Sequence, residues 1–508
     1  MHPTLFQLNT RVHLTRLARQ LNRPTTLDDL PDSLWLGLAE RGFEWVWLLS
    51  VWGTGEVARA VSRSRADWRS EFEHTLPDLE EADIGGSGFA ITDYAVHPQL
   101  GGAEALARLR LRLRNHGLKL LLDFVPNHLA PDHPWVAARP DLFVPGSNHD
   151  LETAPHNYFR VATAQGERIV AHGRDPFFDG WPDTVQLDYS NLAVVELMTC
   201  ELLRIAEQCD GVRCDMAMLL LPDIFERTWG RLAAEFWPEA IGRVRERFPQ
   251  FMLLAEVYWN REWDLQQRGF DFTYDKQLYD RLRSGVARTT REHLRAEFAY
   301  QNRLARFLEN HDEPRVAAGM TDEQHQAAAI VTYFVPGLRF FHEGQIEGNR
   351  VRISPHLVRG PDEVINQQLF GFYQRLLRVL QDPVFHQPTW KQLECRPAWD
   401  GNESCDHYIC FAWSEADRGA VEAPAGQMIV VNYGPHRAQC FVNWTDFNVA
   451  ERLILSDRMS DAKYERELSD LRTRGLYLDL PAWGYHIFSV ASVATTGLSS
   501  VDDMVVSN

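Results

Sequence analysis

Residues 118-LKLLLDFVPNH-128 run from a near-continuous apolar stretch into an acid, an amide and a histidine. A strand that is apolar on both faces belongs in a parallel sheet covered by helices on both sides. Similar runs recur on either side: 43-FEWVWLLSV-51, 210-DGVRCDM-216, 251-FMLLAEVYW-259, 270-FDFTY-274, 304-LARFLEN-310 and 338-LRFFHEG-344, with 11-RVHL-14 as the first strand. Helical segments lie between them. In 103-AEALARLRLRLRNHG-117, Leu106, Leu109 and Leu113 share one face and Gly117 supplies the stop, while Asn191 caps 192-LAVVELMTCELLRIAEQ-208. Eight strands alternating with helices predict an α/β fold, a (β/α)8 TIM barrel.

Two regions depart from that alternation. From 129-LAPDHPWVAARPDLFVPGSNHD onward, Pro, Gly, Asp, His and aromatics dominate for more than 60 residues, a length typical of functional excursions. After residue 393 the segments 407-HYICFAW-413, 427-QMIVVNYG-434, 439-QCFVNW-444 and 476-LYLDL-480 alternate without a helix period, as in an antiparallel β-sandwich. The predicted division is a catalytic barrel over 1–128 and 210–393, a loop-rich B-domain insertion after strand 3 with its return helix over 129–209, a C-terminal β-domain over 394–493, and a loose tail over 494–508.

Composition narrows the function. The 508 residues are 45% hydrophobic and 24% charged, ordinary for a packed soluble protein. Lysine and arginine number 52 against 70 acidic residues, net −18, and that field disfavours nucleic acid as a partner. The alternating arginines of 108-RLRLRLR-114 read as a solvated helix face. Seven cysteines without a CxxC pair give no disulfide framework, and Cys200, Cys209 and Cys214 read as small buried hydrophobes. No run reaches 18 apolar residues, so no membrane partner is expected and the chain is read as cytoplasmic, with its oligomeric state open.

Barrel enzymes place their chemistry where strands end. Strand three ends in Asp123, Asn127 and His128, strand four in Arg213 and Asp215, strand five in Glu256, and strand seven in Asn310, His311 and Asp312. Crowded carboxylates beside a low-dielectric core push one pKa upward, which keeps a general acid protonated at neutral pH. Arg213 lies two residues before Asp215, hence on the same face, where it can hold that acid ionised as a nucleophile requires.

The motifs 123-DFVPNH-128, 211-GVRCD-215, 256-EVYW-259 and 307-FLENHD-312, in this order, resemble the α-amylase family, glycoside hydrolase family 13. The resemblance covers roughly residues 10–490. It implies Asp215 as nucleophile, Glu256 as general acid/base and Asp312 as the group gripping the distorted sugar. It further implies substrate contacts from Arg213, His128, His311 and Asp123, and α-retaining hydrolysis or transglycosylation of α-glucans or maltooligosaccharides through a β-glucosyl-enzyme. The strand-two loop 88-GFAITDYAVHPQLGG-102 has Phe89 and Ala90 where the family has Tyr-Asp. Phe89 remains a stacking platform, and Ala90 argues against a strict α-glucosidase. Trp259 is the foremost sugar-stacking candidate among Trp135, Phe177, Phe178, Trp181, Trp259 and Trp263.

Met218 and Leu219 stand where many members carry Lys-His, which argues against an ordinary endo-amylase. No cofactor is expected, apart from a structural calcium that Asn127 and Asp188 could hold. Alternatives are a trehalose- or sucrose-active member, a non-catalytic barrel serving as a binding scaffold, and a metal-dependent hydrolase built on His128 and His311.

Overall fold

The computed structural model describes residues 2–164, 166–414, 426–444 and 452–493. Eight parallel strands close into a barrel: β1 Thr4–Asn9, β2 Trp45–Leu49, β3 Lys119–Phe124, β4 Gly211–Cys214, β5 Met252–Ala255, β6 Phe272–Tyr274, β7 Leu304–Arg306 and β8 Leu338–His342. β1 pairs with both β2 and β8, so no strand edge is left open. The strands are buried on both faces, as their unbroken apolar runs require.

The first strand corrects the sequence reading. Residues 11–14 lie in the helix Thr10–Leu21, and β1 is the preceding 4-TLFQLN-9, buried throughout. The polar Thr4, Gln7 and Asn9 interrupt its apolar signal. Pairing with β2 and β8 makes it a strand, and Asn9 then caps the helix by accepting from the Val12 N–H. The later helices behave as read: Gly102–Asn115 buries Leu106, Leu109 and Leu113, and Leu192–Gln208 is capped by Asn191. The arginines of Gly102–Asn115 lie on its solvated face, as read, and are paired there. Arg108 pairs with Asp28, Arg112 with Asp32, and both Arg110 and Arg114 with Asp210. Cys209 and Cys214 are buried, whereas Cys200 is exposed on its helix.

The excursion after β3 carries its own hairpin, Tyr158–Thr163 against Gly166–Ala171, and is tied to the barrel mouth where His128–Leu129 pairs with Val185–Gln186. A second excursion, after β2, holds helices Glu56–Ser64 and Ala66–Thr75. Its Phe72, Leu76 and Ile84 pack on Leu357 of the β8 loop, and Arg359 binds Asp78 and Asp83.

The C-terminal region forms a six-stranded and a three-stranded antiparallel sheet. The period of two divides the strand Tyr408–Trp413. Tyr408, Cys410 and Ala412 face the three-stranded sheet, and Ile409, Phe411 and Trp413 face the barrel core. Trp413 Nε1 donates to the Phe334 carbonyl at 2.7 Å and Tyr433 Oη to that of Leu282 at 2.6 Å. Residues 494–508, read as a loose tail, lie outside the described residues. Among the described residues no helix is long and apolar enough to cross a membrane.

One buried ion cluster ties together the ends of β6 and β7. Asp275 accepts from His293 at 3.0 Å, from the Leu278 N–H at 3.0 Å and from Arg306, whose Nε donates to the Pro336 carbonyl at 2.9 Å. Burial opposes its charge, yet His293 and Arg306 hold the Asp275 carboxyl well below the usual carboxylate range. Arg306→Met strands that carboxylate, and urea unfolding at pH 7 is expected to give a loss of about 3–5 kcal/mol. Because the native carboxyl is depressed, its contribution is present at neutral pH and lost as pH falls below about 4. The deficit of the variant should therefore shrink on acidification.

Candidate active site

β4 and β5 set the centre of the site. Cys214 and Ala255 are register partners, so the next residues, Asp215 and Glu256, leave adjoining strand ends side by side. The Glu256 N–H donates to the Cys214 carbonyl at 3.0 Å. Parallel strands lie about 4.7–4.9 Å apart, which brings the two carboxyls close without any contribution from loop geometry.

Arg213, 1% exposed on β4, joins them. Its NH1 donates to Asp215 Oδ1 at 2.6 Å and its NH2 lies 2.7 Å from Glu256 Oε2. Burial works against the guanidinium's charge, but Glu256, Asp215 and Asp123 keep it firmly protonated. Its plane sits over Trp47 and Phe89, at 5.4 and 5.1 Å. Burial pushes both Asp215 and Glu256 upward. Arg213 pulls each back, and the Asp215 charge adds to the rise at Glu256.

Glu256 has three donors. Oε2 accepts the Met216 N–H at 2.7 Å and forms an ion pair with the Arg213 guanidinium, and Oε1 accepts the Tyr258 hydroxyl at 2.9 Å. Met216 reaches it through a left-handed backbone, φ 42°, and Trp259 and Asn260 are left-handed as well, φ 60° and 62°. Such conformations cost a non-glycine residue free energy and cluster at functional sites.

Asp123 is displaced from its predicted place on the substrate. It is fully buried behind Arg213, its oxygens accepting from Trp47 Nε1 and the Ser50 N–H, both at 3.1 Å. Burial lifts its carboxyl to about 7. It meets the cleft only through the guanidinium, 4.0 Å away.

His311 and His128 line the walls as neutral rings, lowered by burial to about 3 and about 4. Phe89 stacks on His311 at 5.3 Å and Trp181 lies 5.2 Å from His128. His311 Nε2 is 3.1 Å from Asp312 Oδ2, and Asn310 turns the loop by accepting from the Asp312 and Glu313 N–H groups. Asp312 is the open edge of the site, its side chain 41% exposed.

Beyond it, Phe177 and Trp259 meet edge to face at 5.0 Å, both exposed, with Arg227 4.7 Å over Phe177. Asp175 aims Phe177 and Phe178 outward by accepting from both N–H groups. Two other aromatic candidates have partners elsewhere: Trp263 contacts Tyr300, and Trp135 contacts His133. Met218 and Leu219 are buried in the turn Ala217–Leu220 and offer the cleft no polar group.

The oxygens proposed for calcium are engaged by protein partners. Asn127 Oδ1 accepts from Gln186 Nε2 at 3.0 Å. Asp188 is neutralised by Arg231 at 2.9 Å and accepts from Ser190. Among the described residues no group of three or more His, Cys, Asp or Glu side chains is arranged to hold a metal ion.

Sequence reasoning passed over Gln7, whose strand it misplaced, and over the hydroxyl of Tyr258 inside a motif it did quote. Gln7 Nε2 lies 2.9 Å from His311 Nδ1. As the amide donates, Nδ1 is the acceptor and the ring proton sits on Nε2, which makes no hydrogen bond within the protein and stays free for a ligand. Gln7→Leu is expected to mix the His311 tautomers in ¹⁵N NMR and to cost about 1–2 kcal/mol in unfolding. An unchanged tautomer would mean that Gln7 does not orient the ring.

Comparisons with known proteins place the fold. Residues 77–366 match the family model described as the α-amylase catalytic domain. The α-amylase MalA of Haloarcula japonica is 26% identical over 294 residues, 54% of this chain and 39% of that protein. α-Amylase 3 of Dictyoglomus thermophilum is 22% identical over 304 residues, 55% of this chain and 56% of that one. The chain thus spans about half the length of the curated relatives it matches. A maltogenic α-amylase from Thermotoga neapolitana shares the fold, with a TM-score of 0.67 at 17% identity over 97% of this chain and 99% of that one. With a family model matched along more than half its length, around strand ends that converge on one carboxylate pair, the chain belongs to the α-amylase family.

Proposed function

We propose that this chain cleaves or transfers the α-glucosidic linkages of α-glucans and maltooligosaccharides by a retaining double displacement. The observation that carries the reading is the single guanidinium shared by Asp215 and Glu256 on register-paired strand ends. Adjoining strands favour the short carboxyl spacing of retaining enzymes, about 5–5.5 Å, over the wider gap that lets an inverting enzyme seat a water.

Arg213 occupies Asp215 Oδ1, which leaves Oδ2 for the anomeric carbon. As that C–O bond forms, the glycosidic bond breaks and its oxygen takes the proton of Glu256. A water or sugar hydroxyl then gives its proton to Glu256 and its oxygen to the anomeric carbon, and Asp215 is released. Asp312 and His311 would hold the hydroxyls of the distorted ring, together with His128. The exposed Phe177–Trp259 pair would receive the sugar beyond the scissile bond, and the apolar Met218–Leu219 turn leaves that side without the Lys-His contacts of many members. All seven cysteines are free thiols, which supports a reducing, cytoplasmic setting.

Maltoheptaose followed by chromatography tests the reading. Shorter products alone identify a hydrolase, and shorter with longer products a glucanotransferase. Glu256→Gln is expected to lower turnover by about 10²–10⁴-fold. Equal turnover by Glu256→Gln and the parent would overturn the mechanism. Inertness toward maltoheptaose, sucrose, trehalose and isomaltose together would favour a binding scaffold.

A further inference from the structure

The three donors on Glu256 are not equivalent, and the difference locates its proton. On Oε2 sit the Met216 N–H and the Arg213 guanidinium, each at 2.7 Å. An amide nitrogen and a guanidinium only donate. A proton on Oε2 would have no acceptor among them and would displace either the short Met216 hydrogen bond or the close Arg213 ion pair. On Oε1 sits a hydroxyl, which can either donate or accept.

We propose that Tyr258 is a positioning residue for the general acid, holding the transferable proton of Glu256 on Oε1, where its hydroxyl turns from donor to acceptor as the carboxyl is protonated. This rests on reading Glu256 as the acid. When Glu256 is ionised, Tyr258 O–H donates to Oε1. When Glu256 is protonated, the Oε1–H is free to point to the leaving oxygen or back to Tyr258 Oη, and Oε2 keeps both its donors throughout. No bond between heavy atoms changes in this exchange.

The other charged and titratable groups around the carboxyl are Arg213 and Asp215 from β4, Asp312 and His311 from the β7 loop, His128 from the end of β3 and Tyr274 on β6. None of them hydrogen-bonds Oε1 among the described contacts. Burial and the Glu256 charge hold the Tyr258 phenol well above its ordinary value, so it keeps its proton at any working pH. Its place is set by the strained turn that follows, with Trp259 and Asn260 both left-handed.

Tyr258→Phe removes the hydroxyl and little else, and a thermal unfolding midpoint checks that the fold is kept. Losing a donor destabilises the ionised carboxylate, so the pKa of Glu256 rises. The alkaline limb of the kcat/KM profile, where the acid loses its proton, is expected to move up by roughly half to one pH unit. The acid limb, set by Asp215, should stay in place. Turnover of maltoheptaose is expected to fall about 10-fold with KM little changed. Turnover of α-maltosyl fluoride, whose leaving group needs little protonation, should stay within about 2-fold. Equal losses on both substrates, or an unmoved alkaline limb, would overturn the proposal. Glu256→Gln run alongside separates the two readings. If it is inactive on maltoheptaose while the Tyr258→Phe profile is unmoved, only the tyrosine's part falls. If it is fully active, the assignment of the acid falls first.

Discussion

The site depends on one buried guanidinium. Arg213 enters the barrel mouth between three acids, bonded to Asp215 and Glu256 and backed by Asp123. Without it, carboxylates with almost no solvent contact would face one another in a low-dielectric core and could not stay ionised. With it, the cluster holds a charge pattern in which one acid can stay ionised while its neighbour carries a proton. Trp47 and Phe89 seal the guanidinium's faces, and Asp123 is spent on fixing it rather than on sugar.

Around that centre the protein concentrates its backbone strain. Ser50, Met216, Trp259 and Asn260 are all left-handed without being glycine, and all follow barrel strands at the mouth. Ser50 sends its N–H to Asp123 and Met216 sends its own to Glu256, so the twisted backbone supplies donors to both carboxyls alongside the Tyr258 hydroxyl. The cost is carried by the barrel beneath, closed through β1 and covered on one flank by the alternate residues of the C-terminal sheet.

The two faces of the cleft differ in chemistry. One wall carries neutral imidazoles, oriented by Gln7 and by aromatic neighbours, suited to sugar hydroxyls. The other presents exposed aromatic faces over arginine, and the turn after the nucleophile is apolar. On the proposed function, recognition on that side would rest on stacking and shape more than on charge, which would leave the acceptor open to water or to a second sugar.

Much of this was legible in the amino-acid sequence, because apolar runs and their polar endings are local signals. Residues 118–128 announce both a parallel barrel strand and a functional strand end. Arg213 and Asp215 share a face by the period of two, and Asn191 and Gly117 mark helix ends. What the sequence left hidden depends on partners distant in the chain. The first strand, 4–9, is polar enough to escape notice and becomes a strand only by pairing with β2 and β8. Asp123 carries the pattern of a substrate ligand, yet the fold turns it inward behind Arg213. Asn127 and Asp188 carry oxygens fit for a cation, yet Gln186 and Arg231 already engage them. Sequence determined which residues stand at the strand ends. Only the tertiary structure decided which atoms of those residues remain free for chemistry, since hydrogen-bond partners in a packed core are chosen by three-dimensional proximity.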